Sequence, residues 1–334
     1  MKFIHFGCWN NGLCGDNTNG LSLTMRKLNS YLETNPVDWI VIAGDNYYPT
    51  KDSGGKRFNL IEFESGFNCL PKTLTKYLIF GNHDIDDVII KDDGTEIKCK
   101  LLLSQQSLAE HDSTIKIFND VMYKKVDNTL IIMLDTNLYT WTDLTTKVSD
   151  TCYAKLFNNL VNKSDLSIGN LIKYQNCRIK EIIQSNKSSN NIIFIGHHPI
   201  YSIKNKSGKK IVNKLTNFIN FFKGIEHVLQ EKTIYYLCAD THLYQSGTIT
   251  ISDKLNIIQY IVGTGGAEQD TPYLLDNTVI DAGSIVYSKT SDIKKYGFLV
   301  VHIDRDINFE FVQADNPMVG GNYNKKYTIK KLFV

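Results

Sequence analysis

At 334 residues, with 42% apolar and 22% charged side chains, the chain can bury a large core, and its composition excludes a disordered polymer. Its 37 basic and 35 acidic residues leave a net charge of +2, which excludes general electrostatic capture of nucleic acid or an anionic membrane and leaves small phosphorylated substrates open. No run reaches the roughly 18 apolar residues of a membrane span. The 7 cysteines, scattered without CxxC pairs, fit a reducing compartment.

In chain order, Phe3 to Gly7 reads as a first core strand; it is too short, and too soon followed by Cys8-Trp9-Asn10-Asn11, to be a secretory apolar region. The expectation is a mostly thiol protein of the cytoplasm or another reducing compartment, without signal peptide or transmembrane segment. A helix from Leu21 to Glu33 and strands at Trp39 to Ala43, Tyr77 to Phe80 and Leu130 to Thr136 come next. A helix from Asn170 to Ser185 and strands at Asn191 to Ile195 and Ile234 to Cys238 continue this α/β rhythm. From about residue 247 the pattern turns to strand after strand: Thr248 to Ser252, Ile257 to Val262, Gly297 to Ile303 and Phe309 to Val312. Asp304-Arg305-Asp306 suits a tight turn between the last two.

Two packed mixed sheets with helices outside, a four-layer α/β/β/α sandwich, accommodate both halves. No Pro/Gly/Ser linker or repeat divides the chain, so one domain over 1–334 is expected. Two long loops, Tyr48 to Phe67 and Asp86 to Lys98, follow the first two polar motifs, and Lys325, Lys326, Lys330 and Lys331 mark a basic C-terminal tail over 320–334.

Four polar motifs close apolar runs: Gly44-Asp45-Asn46-Tyr47-Tyr48, Gly81-Asn82-His83-Asp84, Gly196-His197-His198-Pro199 and Thr241-His242. Side chains at the carboxyl ends of sheet strands can converge on one crevice, and an Asn-His-Asp run has little packing reason to end a buried strand. Hydrolysing a phosphate ester needs neutralised phosphoryl oxygens, an activated water and a proton for the leaving oxygen. Two metal ions about 3.5–4 Å apart and a nearby imidazole supply all three.

These motifs resemble those of the calcineurin-like metallophosphoesterase superfamily, and within it the purple acid phosphatase branch, over nearly the whole chain. Leu134-Asp135-Thr136, Gly263-Thr264-Gly265-Gly266 and Tyr296-Gly297-Phe298 resemble the family's later strand ends, in the right order. The resemblance implies two divalent or mixed-valence metal ions, zinc, iron or manganese. Asp45 would bridge them, Tyr48 would be a phenolate ligand of one, Asn82 and His197 would hold the other, and His242 would be the last ligand. It further implies His83 as leaving-group acid, Asp84 as the holder of that imidazole, and His198 as a substrate or supporting contact. A metal-bound hydroxide would attack a small phosphomonoester.

Two ligand positions depart from the family. Cys8 stands where the opening strand should be followed by Asp, and Asp240 where the family's GHDH block has its first His. Both are competent donors, so both remain in the expected ligand set, with altered metal preference; Asp16 is a candidate substitute carboxylate. Two other readings stand beside the phosphomonoesterase. The changes can mark a catalytically impaired fold kept as a structural or scaffold protein with a protein partner, or the substrate can be a phosphodiester or nucleotide. The absence of a basic stripe argues against specific nucleic-acid binding.

Overall fold

Short β-branched runs bounded by turns suit strands buried on both faces. In the computed structural model, which describes residues 1–16, 19–48, 58–85, 88–90, 96–146, 167–274, 278–281 and 285–314, they form two large mixed sheets. The first runs, edge to edge, Ile307–Gln313, Gly297–Ile303, Lys2–Phe6, Trp39–Ala43, Thr75–Ile79, Ile115–Ile117. From Lys2–Phe6 to Ile115–Ile117 the pairing is parallel, with Phe3 opposite Trp39 and Trp39 opposite Thr75. The second sheet runs Thr278–Asp281, Ile285–Ile293, Tyr244–Ser252, Leu255–Val262, Thr233–Cys238, Asn191–Ile195, Thr129–Met133, Met122–Val126. Its centre, from Leu255–Val262 to Thr129–Met133, is parallel.

The sheets pack face to face. Val41, Leu299 and Phe311 of the first share one core with Ile131, Ile193 and Leu237 of the second. Across the interface Phe309 packs on Tyr260 at 4.3 Å and Phe311 on Tyr244 at 4.3 Å between ring centroids. Helices cover the outsides. Gly20–Thr34, capped by the Asn19 side chain on Ser22 N, sends Leu21, Met25 and Leu28 into the first sheet's core. Thr216–Leu229 lays Phe218, Phe222 and Ile225 on the second sheet, beside Ile179 and Ile183 of Ile168–Ser185. The expected sandwich is therefore the observed one.

Several expectations need correction. The loop expected from Tyr48 to Phe67 contains the start of helix Leu60–Asn68, because Asn59 caps it by accepting from Ile61 N and Glu62 N. Within the expected loop from Asp86 to Lys98, Val88–Ile90 pairs with Glu96–Lys98. Helix Thr216–Leu229, hairpin Tyr201–Lys206 with Lys209–Lys214, and strand Ile285–Ile293 were not expected. The expectation of a mostly thiol protein also fails: Cys14 is disulfide-bonded to Cys69, 55 residues away, and Cys99 is disulfide-bonded too. Cys8, Cys177 and Cys238 are free. The basic tail over 320–334 lies outside the described residues, as do 49–57, 86–87 and 91–95 of the expected loops. No helix among the described residues is long and apolar enough to cross a membrane.

Candidate metal centre

Neighbouring parallel strands of both sheets end at one place. Cys8 and Asp45 follow Lys2–Phe6 and Trp39–Ala43, and Asn82 follows Thr75–Ile79; His197 follows Asn191–Ile195, and Asp240 and His242 follow Thr233–Cys238. The turns are sharp: Cys8, Asp45 and Asp240 have φ of +52°, +53° and +55°. Such left-handed positions cost a non-glycine residue roughly 1–3 kcal/mol and cluster where function over-determines the backbone. Gly44 lets the loops meet, since a Cβ there would lie 2.5 Å from Gly81 N and 2.6 Å from His197 Nδ1.

Two donor groups result, Cys8 with Asp45 and His242, and His197 with His198 and Asp240, each with its ligand atoms within 4.8 Å of one another. In the first, Cys8 Sγ lies 3.9 Å from Asp45 Oδ2, the Tyr48 hydroxyl donates to the same oxygen at 2.5 Å, and His242 Nε2 is 3.1 Å from that hydroxyl. His242 Nδ1 is 2.8 Å from the Glu268 carbonyl. A nitrogen facing a carbonyl carries the proton, so Nε2 turns its lone pair to the cluster.

In the second group His197 Nδ1 donates to the Ala43 carbonyl at 2.6 Å. Its Nε2 then faces three oxygens: Asn82 Oδ1 at 3.3 Å, Asp45 Oδ1 at 3.4 Å and Asp240 Oδ1 at 3.9 Å. Burial opposes charge on this ring, but Asp45, with Asp240 and the Ala43 carbonyl, pushes it up to about 9. Burial alone would raise Asp45; the charge and hydrogen bond of His197, with His83 and Tyr48, hold its carboxyl well below the usual range. Burial pushes up the Cys8 thiol, helped by Asp45 and Asp240, and also the Asp240 carboxyl.

Whether these residues fit metal ions is decided by the donor set. One proton on His197 Nε2 can serve only one of three converging oxygens. Among the described residues, that imidazole is the group within ion-pair distance of Asp45 and of Asp240. The buried Asp45 and the partly buried Asp240 share that one imidazole as ionic partner, and divalent cations among Cys8, Asp45, His242, Asn82, His197 and Asp240 would neutralise both carboxylates together. The donors fit.

Other expected residues are placed differently. His83 is exposed, its backbone N–H donates to Asp45 Oδ1 at 3.1 Å, and its ring lies 5.0 Å from that of Tyr48. Asp84 does not hold the His83 imidazole. Its carboxylate is buried and accepts from Gly81 N at 2.8 Å, Asn46 N at 2.9 Å, Asn46 Nδ2 at 3.2 Å and Gln105 Nε2 at 3.0 Å, so it pins the segments that carry Asp45 and Asn82 to each other. Burial and Asp45 raise it to about 7. His198 stacks edge-on to His197 at 4.8 Å, with Nδ1 3.1 Å from Thr136 Oγ1. That hydroxyl also accepts from the backbone N–H of His197 and His198. Asp16 is exposed in a turn, its N–H on the Leu13 carbonyl, and does not join either donor group. Gln105 is a supporting residue not anticipated from sequence, and Thr136, read there only as the end of the Leu134-Asp135-Thr136 motif, is another whose role was not.

The model for calcineurin-like phosphoesterases matches residues 1–244. The chain belongs to the calcineurin-like phosphoesterase family. Members of this family typically hold two divalent metals, which agrees with the donor groups of this phosphoesterase-family chain. Two solved structures share its fold. One is described as GAP50, the anchor in the inner membrane complex of Plasmodium, with 14% identity, a TM-score of 0.58, and coverage of 99% of this chain and 89% of that one. The other is the purple acid phosphatase PPD1 from yellow lupin (Lupinus luteus) seeds, with 13% identity, a TM-score of 0.52, and coverage of 94% of this chain and 51% of that one. The family chain thus spans about half of the lupin enzyme. No curated protein matches it in sequence.

Proposed function

We propose that the chain, one domain over 1–334, is a metal-dependent phosphomonoesterase. Its ligands are Cys8, Asp45, Tyr48 and His242 on one side and Asn82, His197 and Asp240 on the other. The convergence of three oxygens on His197 Nε2 carries this reading. Two divalent ions bound there would neutralise the phosphoryl oxygens and activate water. Water, giving up one proton to solvent, forms a bond from its oxygen to phosphorus as the phosphorus–leaving-oxygen bond breaks, the exposed His83 imidazole gives its proton to the departing alkoxide, and solvent reprotonates His83. Asn82 and His198 orient the phosphoryl group. Metal-replete protein is expected to hydrolyse phenyl phosphate, with His83→Ala lowering kcat about 10²–10⁴-fold. No turnover by the metal-replete native chain between about pH 5 and pH 8 would end the proposal.

A second reading, a scaffold that binds a protein partner, is supported by the two altered ligands and by fold-level likeness to an anchor protein. If activity appears only in the double variant Cys8→Asp, Asp240→His, the scaffold reading stands and the phosphatase reading falls. A phosphodiester or nucleotide substrate is the third. Disulfide-bonded Cys14 and Cys69 support an oxidising surrounding in place of the reducing one expected from sequence.

A further inference from the structure

A cavity of about 410 Å³ opens beside the centre. His198 and Asp240 line it and also belong to the donor group of His197, so cavity and centre are continuous. This volume lies in the range of small-ligand sites and exceeds what one phosphoryl group fills. The remaining lining comes from the segment around Asn137–Thr140, the end of strand Lys209–Lys214 and the start of helix Thr216–Leu229.

The chemistry of that lining is narrow. Thr142, Asn213 and Thr216 bring hydroxyl and amide side chains to the lining, and these have no hydrogen-bond partner among the described residues. Asn217 is oriented by its amide nitrogen, which donates to the Trp141 carbonyl at 2.7 Å. The aromatic rings of the lining are already engaged: Tyr139 stacks on Phe218 at 4.7 Å, its hydroxyl donates to Asn176 and it is 2% exposed, and His198 packs edge-on to His197 at 4.8 Å. The lining's one lysine, Lys214, is solvent-exposed, and a single exposed ammonium does not build a second phosphate site. Hydroxyls and amides both donate and accept, which suits a ligand rich in hydroxyl groups.

We infer that this cavity is the leaving-group site and that it takes an uncharged, hydroxyl-rich group, making the substrate a sugar or polyol phosphate; this rests on the phosphomonoesterase reading. A site built to hydrogen-bond hydroxyls discriminates strongly against ligands that lack them. The test assays metal-replete native chain, Asn213→Leu and Thr216→Val with glucose 6-phosphate, phenyl phosphate and adenosine 5′-monophosphate, and measures glucose 6-phosphate binding by calorimetry in the same proteins. Both substitutions should raise KM and Kd for glucose 6-phosphate at least about tenfold and leave phenyl phosphate within about twofold. Parallel losses on both substrates, no change on either, or higher kcat/KM on the nucleotide overturns the inference. Should none of the three be hydrolysed, the phosphatase reading fails but the calorimetry still decides. Glucose 6-phosphate binding that both substitutions weaken tenfold upholds the site, and binding that is absent or insensitive to them overturns it.

Discussion

A cysteine at φ +52° is a costly way to fill a strand end with a small apolar group, although Cys8 does touch Ala43, Ala239 and Ala267. The backbone instead aims its sulfur at Asp45 Oδ2, in a group closed by His242. A thiolate ligand leaves a spectroscopic mark that packing does not. The cobalt(II)-loaded protein should show strong near-ultraviolet sulfur-to-metal absorption that Cys8→Ser abolishes; identical spectra would assign Cys8 to packing alone. His5 provides a second residue-scale prediction, away from the ligands. It is buried, with Nε2 on the Cys238 carbonyl and Nδ1 unpartnered, and burial pushes its imidazole down to about 4 from 6.5. Between those values the unfolded chain binds the extra proton, so stability falls as pH drops from about 6.5 to about 4. The His5 contribution to that loss is about 3 kcal/mol. Asp84, raised to about 7, works in the opposite direction, so the wild-type curve alone is ambiguous. The difference between wild type and His5→Gln in urea unfolding across this range isolates His5, and parallel curves would refute it.

The helix Lys100–His111 contributes one polar side chain to the centre's support. Gln105 donates to Asp84 and accepts from Asn46 Nδ2 at 3.0 Å, completing the clasp between the turns that carry Asp45 and Asn82. Gln105→Leu leaves buried groups on both sides without their partner, at roughly 1–3 kcal/mol each. Denaturant unfolding should show that loss, with weaker metal binding by titration; a variant as stable and as avid as wild type would show that Asp84 needs no such clasp. None of this was legible from sequence, because the contact joins residues 21 positions apart on two separate helices, Asn82–Ile85 and Lys100–His111. Asp84 was misread for a related reason: adjacency to His83 suggested a partnership, whereas its oxygens reach Gly81 and Asn46. What could be read were strands such as Trp39–Ala43 and Asn191–Ile195, where an apolar run ends abruptly in polar motif residues. Helix Thr216–Leu229 escaped because Leu215 offers no side-chain cap and its Phe-rich face resembles a strand run. Hairpin Tyr201–Lys206 with Lys209–Lys214 hid its apolar positions among lysines, although Ser207-Gly208, both at positive φ, supplied the turn.

At the scale of the whole molecule, the donors divide between the two sheets. Cys8, Asp45 and Asn82 belong to the first, and His197, Asp240 and His242 to the second, so cations held among them would act as a cross-link between layers. The sheets already share a large apolar core and do not need that link to assemble. Metal should therefore add to stability rather than decide folding. A ligand that binds only the folded state contributes RT ln(1 + [L]/Kd), about 4 kcal/mol at a thousandfold excess over Kd. In a chain of this size, each kcal/mol raises Tm by about 2 °C or somewhat less. Zinc should thus raise Tm by several degrees, and a chelator should return it to a baseline at which the chain is still cooperatively folded. Asp45→Asn, which faces both donor groups, should remove most of that increment while leaving the chelated baseline in place. An increment that persists in Asp45→Asn would place the metal elsewhere, and a Tm indifferent to metal at saturation would mean that His197, protonated among its three oxygens, is the cation this centre holds.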